Sequence, residues 1–328
     1  MIDKQTKEAI YVGDPYLIQL NLLNSCINNC EYCYIKSSSA QILNPRRLKK
    51  FFQKFEEYHN RYNLKISVSL TGGDLFLYPH LEWIIEYLRK AENVSSISLL
   101  LNSLWHKNSK KIILGILNKI ENIQLNIDNI ENRECDLKWL ASKKIPVNIK
   151  ILLSKNTNYY NSQMNILKKL TKSNPSLRVS VDRLIPTSKE QLKDMCSLKE
   201  LREKASEILI LSNGNFVCDD PIIKLLFDQK EKLQTDSLHG CSIGKGSVTV
   251  YPDGAIKLCA RIPKFETGLT IENFDLKEYI HLANKLTRKI HDKCRKCTEY
   301  QFCKGGCPAT FFVKSNRLDK DINCYYEE

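Results

Sequence analysis

Short apolar runs bounded by turn residues alternate along this chain with longer stretches that carry one apolar face. Residues 16–24, YLIQLNLLN, have the length and apolar content of a buried strand. Asn44-Pro45 supply the cap and first-turn proline that open a helix, and Leu48, Phe51, Phe52, Phe55 and Tyr58 line one side of it. Five further strands are predicted at 65–71, 96–102, 122–128, 146–153 and 177–185, with helices over 80–90, 109–120, 136–143 and 161–172 between them. Six strand–helix units predict an α/β fold with a parallel sheet and right-handed crossovers. Periodicity alone leaves an open barrel and a doubly wound sheet as alternatives. In either, chemistry belongs to the loops at the C-terminal ends of the strands.

Residues 187–211 read as polar-faced helix that bridges rather than forms core. Beyond Leu211 the chain is rich in glycine and turn signals, and SVTVYPDGAIKL (247–258) predicts a hairpin turning at Pro252-Asp253-Gly254. The expected regions are therefore 1–190, a bridge over 191–235, and a small cysteine-rich domain over 236–328. There is no internal repeat.

At 328 residues and 42% hydrophobic content, one large domain plus a smaller one is the natural expectation. No apolar run reaches the about 18 residues of a membrane span, and the N-terminus lacks a signal-peptide core. A cytoplasmic protein without a membrane partner is expected. In that compartment 13 cysteines point to metal ligation rather than disulfides. The net charge is +13, and residues 281–320 hold ten Lys/Arg against three Asp/Glu. No nucleic-acid-binding motif accompanies this segment, so the readings are a solvated basic face or a docking site for an acidic partner.

Three cysteines follow the first strand as Cys26-Ile-Asn-Asn-Cys30-Glu-Tyr-Cys33, a C-x3-C-x2-C loop. A full iron–sulfur cubane takes four thiolates, so three leave one iron free to bind a small molecule. A zinc loop lacking one ligand, or three buried thiols, are the alternatives. Thr71-Gly72-Gly73-Asp74 ends the second strand, where paired glycines let a ligand approach the backbone. Cys218-Asp219-Asp220-Pro221 leads out of the bridge, with Asp219 and Asp220 as candidate proton acceptors and a solvated turn as the alternative. Cys135 and Cys196 read as small buried hydrophobes. The C-terminal region carries Cys241, Cys259, Cys294, Cys297, Cys303, Cys307 and Cys324. On spacing alone these suit a pair of zinc sites as well as iron–sulfur clusters.

The C-x3-C-x2-C loop with aromatic Tyr32 before its third cysteine resembles the signature of the radical S-adenosylmethionine (SAM, AdoMet) superfamily. That resemblance implies a partial (β/α)6 TIM-like barrel. It implies that Cys26, Cys30 and Cys33 hold a 4Fe-4S cluster whose open iron chelates AdoMet, which is cleaved to a 5′-deoxyadenosyl radical. Gly72-Gly73-Asp74 is similar to the family's GGE motif, with Asp one methylene shorter than Glu. Tyr32, Asn102 in Leu101-Asn102-Ser103, and Asn126 are the further AdoMet contacts it implies. The seven C-terminal cysteines, with Gly305-Gly306-Cys307, resemble a SPASM domain holding two auxiliary iron–sulfur clusters of the 4Fe-4S kind. By that resemblance Cys241, Cys259 and Cys307 hold auxiliary cluster I, and Cys294, Cys297, Cys303 and Cys324 hold cluster II. A fourth ligand for cluster I would be Cys218, Asp236 or His239; otherwise that cluster has an open iron.

SPASM-containing relatives mostly modify peptides, so the expectation is a maturase of a ribosomally made peptide (a RiPP), an oxidoreductase driving crosslinking, oxidation or excision. The alternatives are a maturase of a non-peptide cofactor precursor such as a tetrapyrrole, a formylglycine-type protein maturase, and a non-catalytic zinc or iron–sulfur interaction module. A flavodoxin or ferredoxin is the implied electron donor. Fifteen residues before the first strand are too few to fold alone, so leader recognition is expected to use a separate protein or the enzyme's own surface.

Overall fold

Six strands form where the apolar runs predict them: Tyr16–Asn21 (β1), Ile66–Thr71 (β2), Val94–Leu101 (β3), Asn122–Asn126 (β4), Val147–Leu153 (β5) and Arg178–Arg183 (β6). The computed structural model describes residues 15–28, 30–35, 39–102, 109–126, 133–142, 146–173, 177–218, 220–226, 240–241, 243–244, 246–262, 264–287, 294, 296–316 and 320–324. Three more strands, Phe216–Cys218 (β7), Ser247–Val250 (β8) and Ile256–Lys257 (β9), complete the sheet order β7-β6-β5-β4-β3-β2-β1-β8-β9. β1 pairs in parallel with β2, β2 with β3, β5 with β6, and β6 with β7; β8 and β9 form an antiparallel hairpin. The fold is mixed α/β with a mainly parallel sheet.

Among the described residues the α-helices of five residues or more are Pro45–Tyr62 (α1), Leu81–Lys90 (α2), Ser109–Ile116 (α3), Arg133–Ser142 (α4), Thr157–Ser173 (α5), Leu198–Leu211 (α6), Pro221–Leu225 (α7), Leu276–Thr287 (α8) and Pro308–Ser315 (α9). α1 starts as its sequence dictates: the Asn44 side chain accepts a hydrogen bond from the Arg46 amide at 2.8 Å, and Pro45 occupies the first turn. Leu48, Phe51, Phe52 and Phe55 are buried, and Phe51 and Phe55 pack on Phe274 with ring centroids 5.2 and 5.6 Å apart.

Two elements differ from the sequence expectation. Residues 198–211 do not bridge in solvent, because α6 buries Leu198, Leu201, Ala205 and Ile208, one stripe at helical spacing. A capping box of Ser197 and Glu200 starts this helix. β7 is three residues long, too short for periodicity to announce, yet it extends the sheet with Val181 opposite Cys218. The expected hairpin is present, and its first strand also pairs in parallel with β1, with Ile18 opposite Val248 and Leu20 opposite Val250. Val248 and Val250 are fully buried, which is the apolar gain that draws this strand onto the β1 edge.

Internal contacts divide the chain into two compact units. The first holds residues 1–29, 33–123 and 243–286, and the second holds 30–32, 124–242 and 287–328.

Candidate functional site

In the first unit β1 and β2 run in register, Leu20 opposite Leu70 and Asn21 opposite Thr71, so their C-terminal ends lie level. The loop that carries Cys26 and the Gly72-Gly73-Asp74 turn leave from those two ends. They bond to each other through backbone: the Gly73 amide donates to Leu23 O and the Asp74 amide to Ser25 O, both at 2.8 Å. Gly72 has φ +143°, and a Cβ there would come within 2.5 Å of Leu23 O; a Cβ on Gly73 would overlap the Ser25 carbonyl. The glycine pair is therefore occupied first by the cysteine loop itself, which it allows to lie flat on the end of β2.

Asp74 is buried, and its Oδ1 accepts from the Phe76 amide at 3.1 Å, capping the 3-10 turn Leu75–Leu77. Burial, with the Asp74 carboxylate and Cys33 adding to it, pushes the Cys26 thiol up, while the Asn28 amide donating to its sulfur at 3.4 Å opposes this. Cys26, Cys33 and Asp74 thus share one electrostatic neighbourhood. Asn102 is half-buried and directly follows β3.

Two tyrosines in this unit went unnoticed in the sequence. Tyr34 accepts from Gln19 Nε2 at 3.2 Å and donates to Asn21 Oδ1 at 3.5 Å. Burial pushes it up to about 12; Arg261 opposes, and Cys33 and Cys259 add to the rise. Tyr251 donates to Ala260 O at 2.9 Å and is raised by burial, then by Tyr34, Cys259 and Cys33. These two rings bring a cysteine of the N-terminal loop and one of the C-terminal array into the same electrostatic field. Position next to Cys33 was the available signal for Tyr34; nothing in the sequence marked Tyr251.

In the second unit, which holds Cys30, Tyr32 shares a hydrogen bond between its hydroxyl and Ser154 Oγ at 3.1 Å and meets Tyr159 edge-on at 5.2 Å. Ser154 follows β5, and Asn126 is the last residue of β4, so both sit at C-terminal strand ends. Cys218 ends β7, is fully buried, and points its thiol at the Asp220 carbonyl at 3.8 Å. Asp220 caps α7, accepting from the Ile222 and Ile223 amides at 2.8 and 3.2 Å, and takes an ion pair from Arg183 Nε at 2.7 Å. Those partners give Asp220 a structural part to play, as a helix cap and as one end of an ion pair. Asp219, Asp236, His239 and Ser103 lie outside the described residues.

Cys241, Cys294, Cys297, Cys303, Cys307 and Cys324 belong to the second unit and Cys259 to the first. Burial pushes Cys294 up, followed by Cys324, Cys303 and Cys297; burial likewise raises Cys303, with Cys297 and Cys324 adding to it. These four thiols therefore feel one another's charge. Burial also holds Cys196 at about 11, the behaviour of a core thiol. The 12 cysteines other than Cys135 are in no disulfide. Among the described residues no group of three or more His, Cys, Asp or Glu is arranged to hold a single metal ion. Nor does any helix among them have the length and apolar character to cross a membrane.

A parallel sheet read in sequence order, with a cysteine loop after its first strand and a glycine pair after its second, is the partial barrel that the radical SAM resemblance implies. Solved structures of that fold match nearly the whole chain. It is similar to "Native anSMEcpe with bound AdoMet", at 19% identity and TM-score 0.70, over 94% of this chain and 94% of that one. It is similar to Streptococcus suis SuiB bound to precursor peptide SuiA, at 16% identity and TM-score 0.72, over 96% of this chain and 77% of that one. A third match is anSMEcpe with bound AdoMet and Kp18Cys peptide, at 20% identity and TM-score 0.70, over 94% of each. No protein-family profile and no curated sequence matches the chain. At these identities the likeness is one of fold.

Proposed function

We propose that this protein is a radical SAM enzyme with a SPASM-type C-terminal region (236–328) that modifies a peptide. The observation that carries the reading is the apposition of the C-x3-C-x2-C loop and the Gly72-Gly73-Asp74 turn at the level ends of β1 and β2. The donor set fits the group. Cys26, Cys30 and Cys33 are in no disulfide, and thiolates are the ligands iron–sulfur clusters take. When bound, a 4Fe-4S cluster with an open iron would supply the electron and the coordination site that cleave AdoMet reductively.

The chain's own residues do the rest. The Gly73 and Asp74 amides fix the Cys26 loop, and Asp74 fixes the turn that follows. Tyr32, which shares a hydrogen bond with Ser154, Asn102 just after β3, and Asn126 at the end of β4 are the residues the resemblance assigns to AdoMet contacts. Cys294, Cys297, Cys303 and Cys324, within one another's field, suit auxiliary cluster II; the assignment of Cys241, Cys259 and Cys307 to cluster I rests on the resemblance alone. A peptide is the substrate class favoured by the fold, since SuiB is bound to precursor peptide SuiA and anSMEcpe to the Kp18Cys peptide.

The test is anaerobic incubation with AdoMet and dithionite, read as 5′-deoxyadenosine, beside iron and sulfide counting. Changing Cys26, Cys30 and Cys33 together to Ala should abolish 5′-deoxyadenosine and leave the C-terminal iron in place. Undiminished AdoMet cleavage in the triple variant would refute the assignment.

A further inference from the structure

Arg183 is the last residue of β6, and its side chain is 2% exposed. A buried guanidinium demands partners for all its donors, because an unpaired charge in the interior is costly. Arg183 finds them on two segments far apart in sequence. Nε donates to Asp220 Oδ2 at 2.7 Å, ahead of α7. One terminal nitrogen donates to Asp321 Oδ1 at 2.9 Å and to Asn323 Oδ1 at 3.1 Å, and the other pairs with Asp321 Oδ2. Burial works against the charge, but Asp220 and Asp321 outweigh it and hold Arg183 well above its ordinary pKa.

Asp321, 1% exposed, is the hub of the last cysteine segments. Its Oδ2 accepts from the Cys307 amide at 2.7 Å, and its Oδ1 accepts from the Asn323 amide at 2.9 Å and from Thr310 Oγ1 at 3.3 Å. Its own amide donates to Gly305 O at 2.8 Å. Gly306 has φ +73°, and a Cβ there would collide with the Asp321 side chain. Asn323, next to Cys324, donates to Cys196 O at 3.0 Å. One carboxylate thus shapes the turn between Cys303 and Cys307 and the approach to Cys324, and one arginine ties that carboxylate to a sheet strand.

We propose that Arg183 is a positioning residue for the auxiliary-cluster ligands, acting through Asp321 on Cys307 and on the segment that ends at Cys324. The inference rests on the iron–sulfur reading of the C-terminal cysteines. Its physical content is twofold. The fork of Arg183 to Asp220 and Asp321 fixes the ligand loops to the end of β6, a geometry a lysine cannot reproduce because it lacks the planar fork. The guanidinium also offsets two buried carboxylates beside Cys307, and without it their negative charge would disfavour reduction of a cluster held there.

The test compares wild type, Arg183→Gln, Arg183→Lys and Asp321→Asn after anaerobic reconstitution, reading iron per chain, EPR spectra and cluster midpoint potentials. Arg183→Gln should lose auxiliary-cluster iron or shift one auxiliary potential downward, with the Cys26–Cys30–Cys33 cluster spectrum unchanged. Arg183→Lys should recover charge but not geometry, and so fall between. Should Arg183→Gln fail to fold, Asp321→Asn keeps an acceptor for the Cys307 amide while weakening the tie to Arg183, and should perturb the same auxiliary signal. Unchanged auxiliary iron and potentials in folded Arg183→Gln, or in Asp321→Asn where that is the folded variant, would overturn the proposal. Wild-type protein whose C-terminal cysteines hold zinc or no metal would instead overturn the iron–sulfur reading, and this inference with it.

Discussion

Two glycines decide whether the cysteine loop can lie where it does. Gly72 combines a positive φ with a backbone neighbour that a Cβ would approach to 2.5 Å, and Gly73 faces the Ser25 carbonyl. Ala at position 72 should cost about 1–3 kcal/mol from the left-handed backbone, with a further overpacking cost of about 1–3 kcal/mol. We expect Gly72→Ala and Gly73→Ala to lower the unfolding temperature and, if the proposed N-terminal cluster is held there, to lose its iron. The control is Leu114→Ala, at a side chain 50% exposed in α3, which should change neither. Retention of full iron by Gly73→Ala would show that the loop rearranges freely. This detail marks a limit of what the sequence could say. Cys26, Cys30, Cys33 and the glycine pair were legible because their spacing is chemical. That the pair is filled by the loop's own backbone was not, because it depends on the register of β1 and β2. Arg183 was invisible for the same reason: its partners at 220 and 321 are distant in sequence and meet only through the fold.

Among the elements, the strands and α1 were legible from period and caps, whereas α6 and β7 were not. The apolar stripe of α6 is diluted by the charges of KELREK, and three residues of β7 carry no period. A clasp between α1 and the segment before α8, both in the first unit, was equally hidden. The Tyr58 hydroxyl donates to Asp275 Oδ2 at 2.6 Å and accepts from the Leu276 amide at 3.1 Å, while Asp275 Oδ1 caps α8 through the Glu278 amide at 2.9 Å. Lys54 donates to Glu272 O and Phe274 O at 2.7 and 2.8 Å. Burial tends to raise Asp275, but Tyr58 and the amides of Glu278 and Lys277 prevail and lower it. Tyr58→Phe should therefore cost about 1–3 kcal/mol near neutral pH by orphaning both partners. A carboxyl depressed in the folded state gives stability above its unfolded pKa that is lost as pH falls through the folded value. The gap between wild type and Tyr58→Phe should accordingly narrow below about pH 4. Denaturant unfolding at pH 7 and pH 3 checks this, and a gap that widens on acidification would contradict the clasp.

At the scale of the whole molecule the unexplained property is charge. The chain carries +13, with ten Lys/Arg against three Asp/Glu in residues 281–320, the segment that also holds four of the C-terminal cysteines. In the second unit Lys296, Lys304 and Lys314 are exposed, and Phe302 beside Cys303 is 37% exposed. Basic side chains around an exposed ring next to a proposed cluster ligand suit an acidic electron-donor protein such as flavodoxin or ferredoxin. Attraction of that kind acts before contact and fades as salt shortens the screening length to about 10 Å at 0.1 M. Turnover driven by a protein donor should then fall with ionic strength more steeply than turnover driven by dithionite, a small reductant that needs no docked geometry. Reversing Lys296 and Lys304 to Glu should remove most of that extra salt dependence and lower protein-driven turnover at low salt, with dithionite-driven turnover unchanged. The comparison separates docking from bulk charge, because each Lys→Glu change lowers the net charge of +13 by two and leaves the chain strongly basic, yet the pair reverses the sign of the surface beside Cys297 and Cys303. Equal salt dependence for the two donors in the wild type would leave the segment as a solvated face.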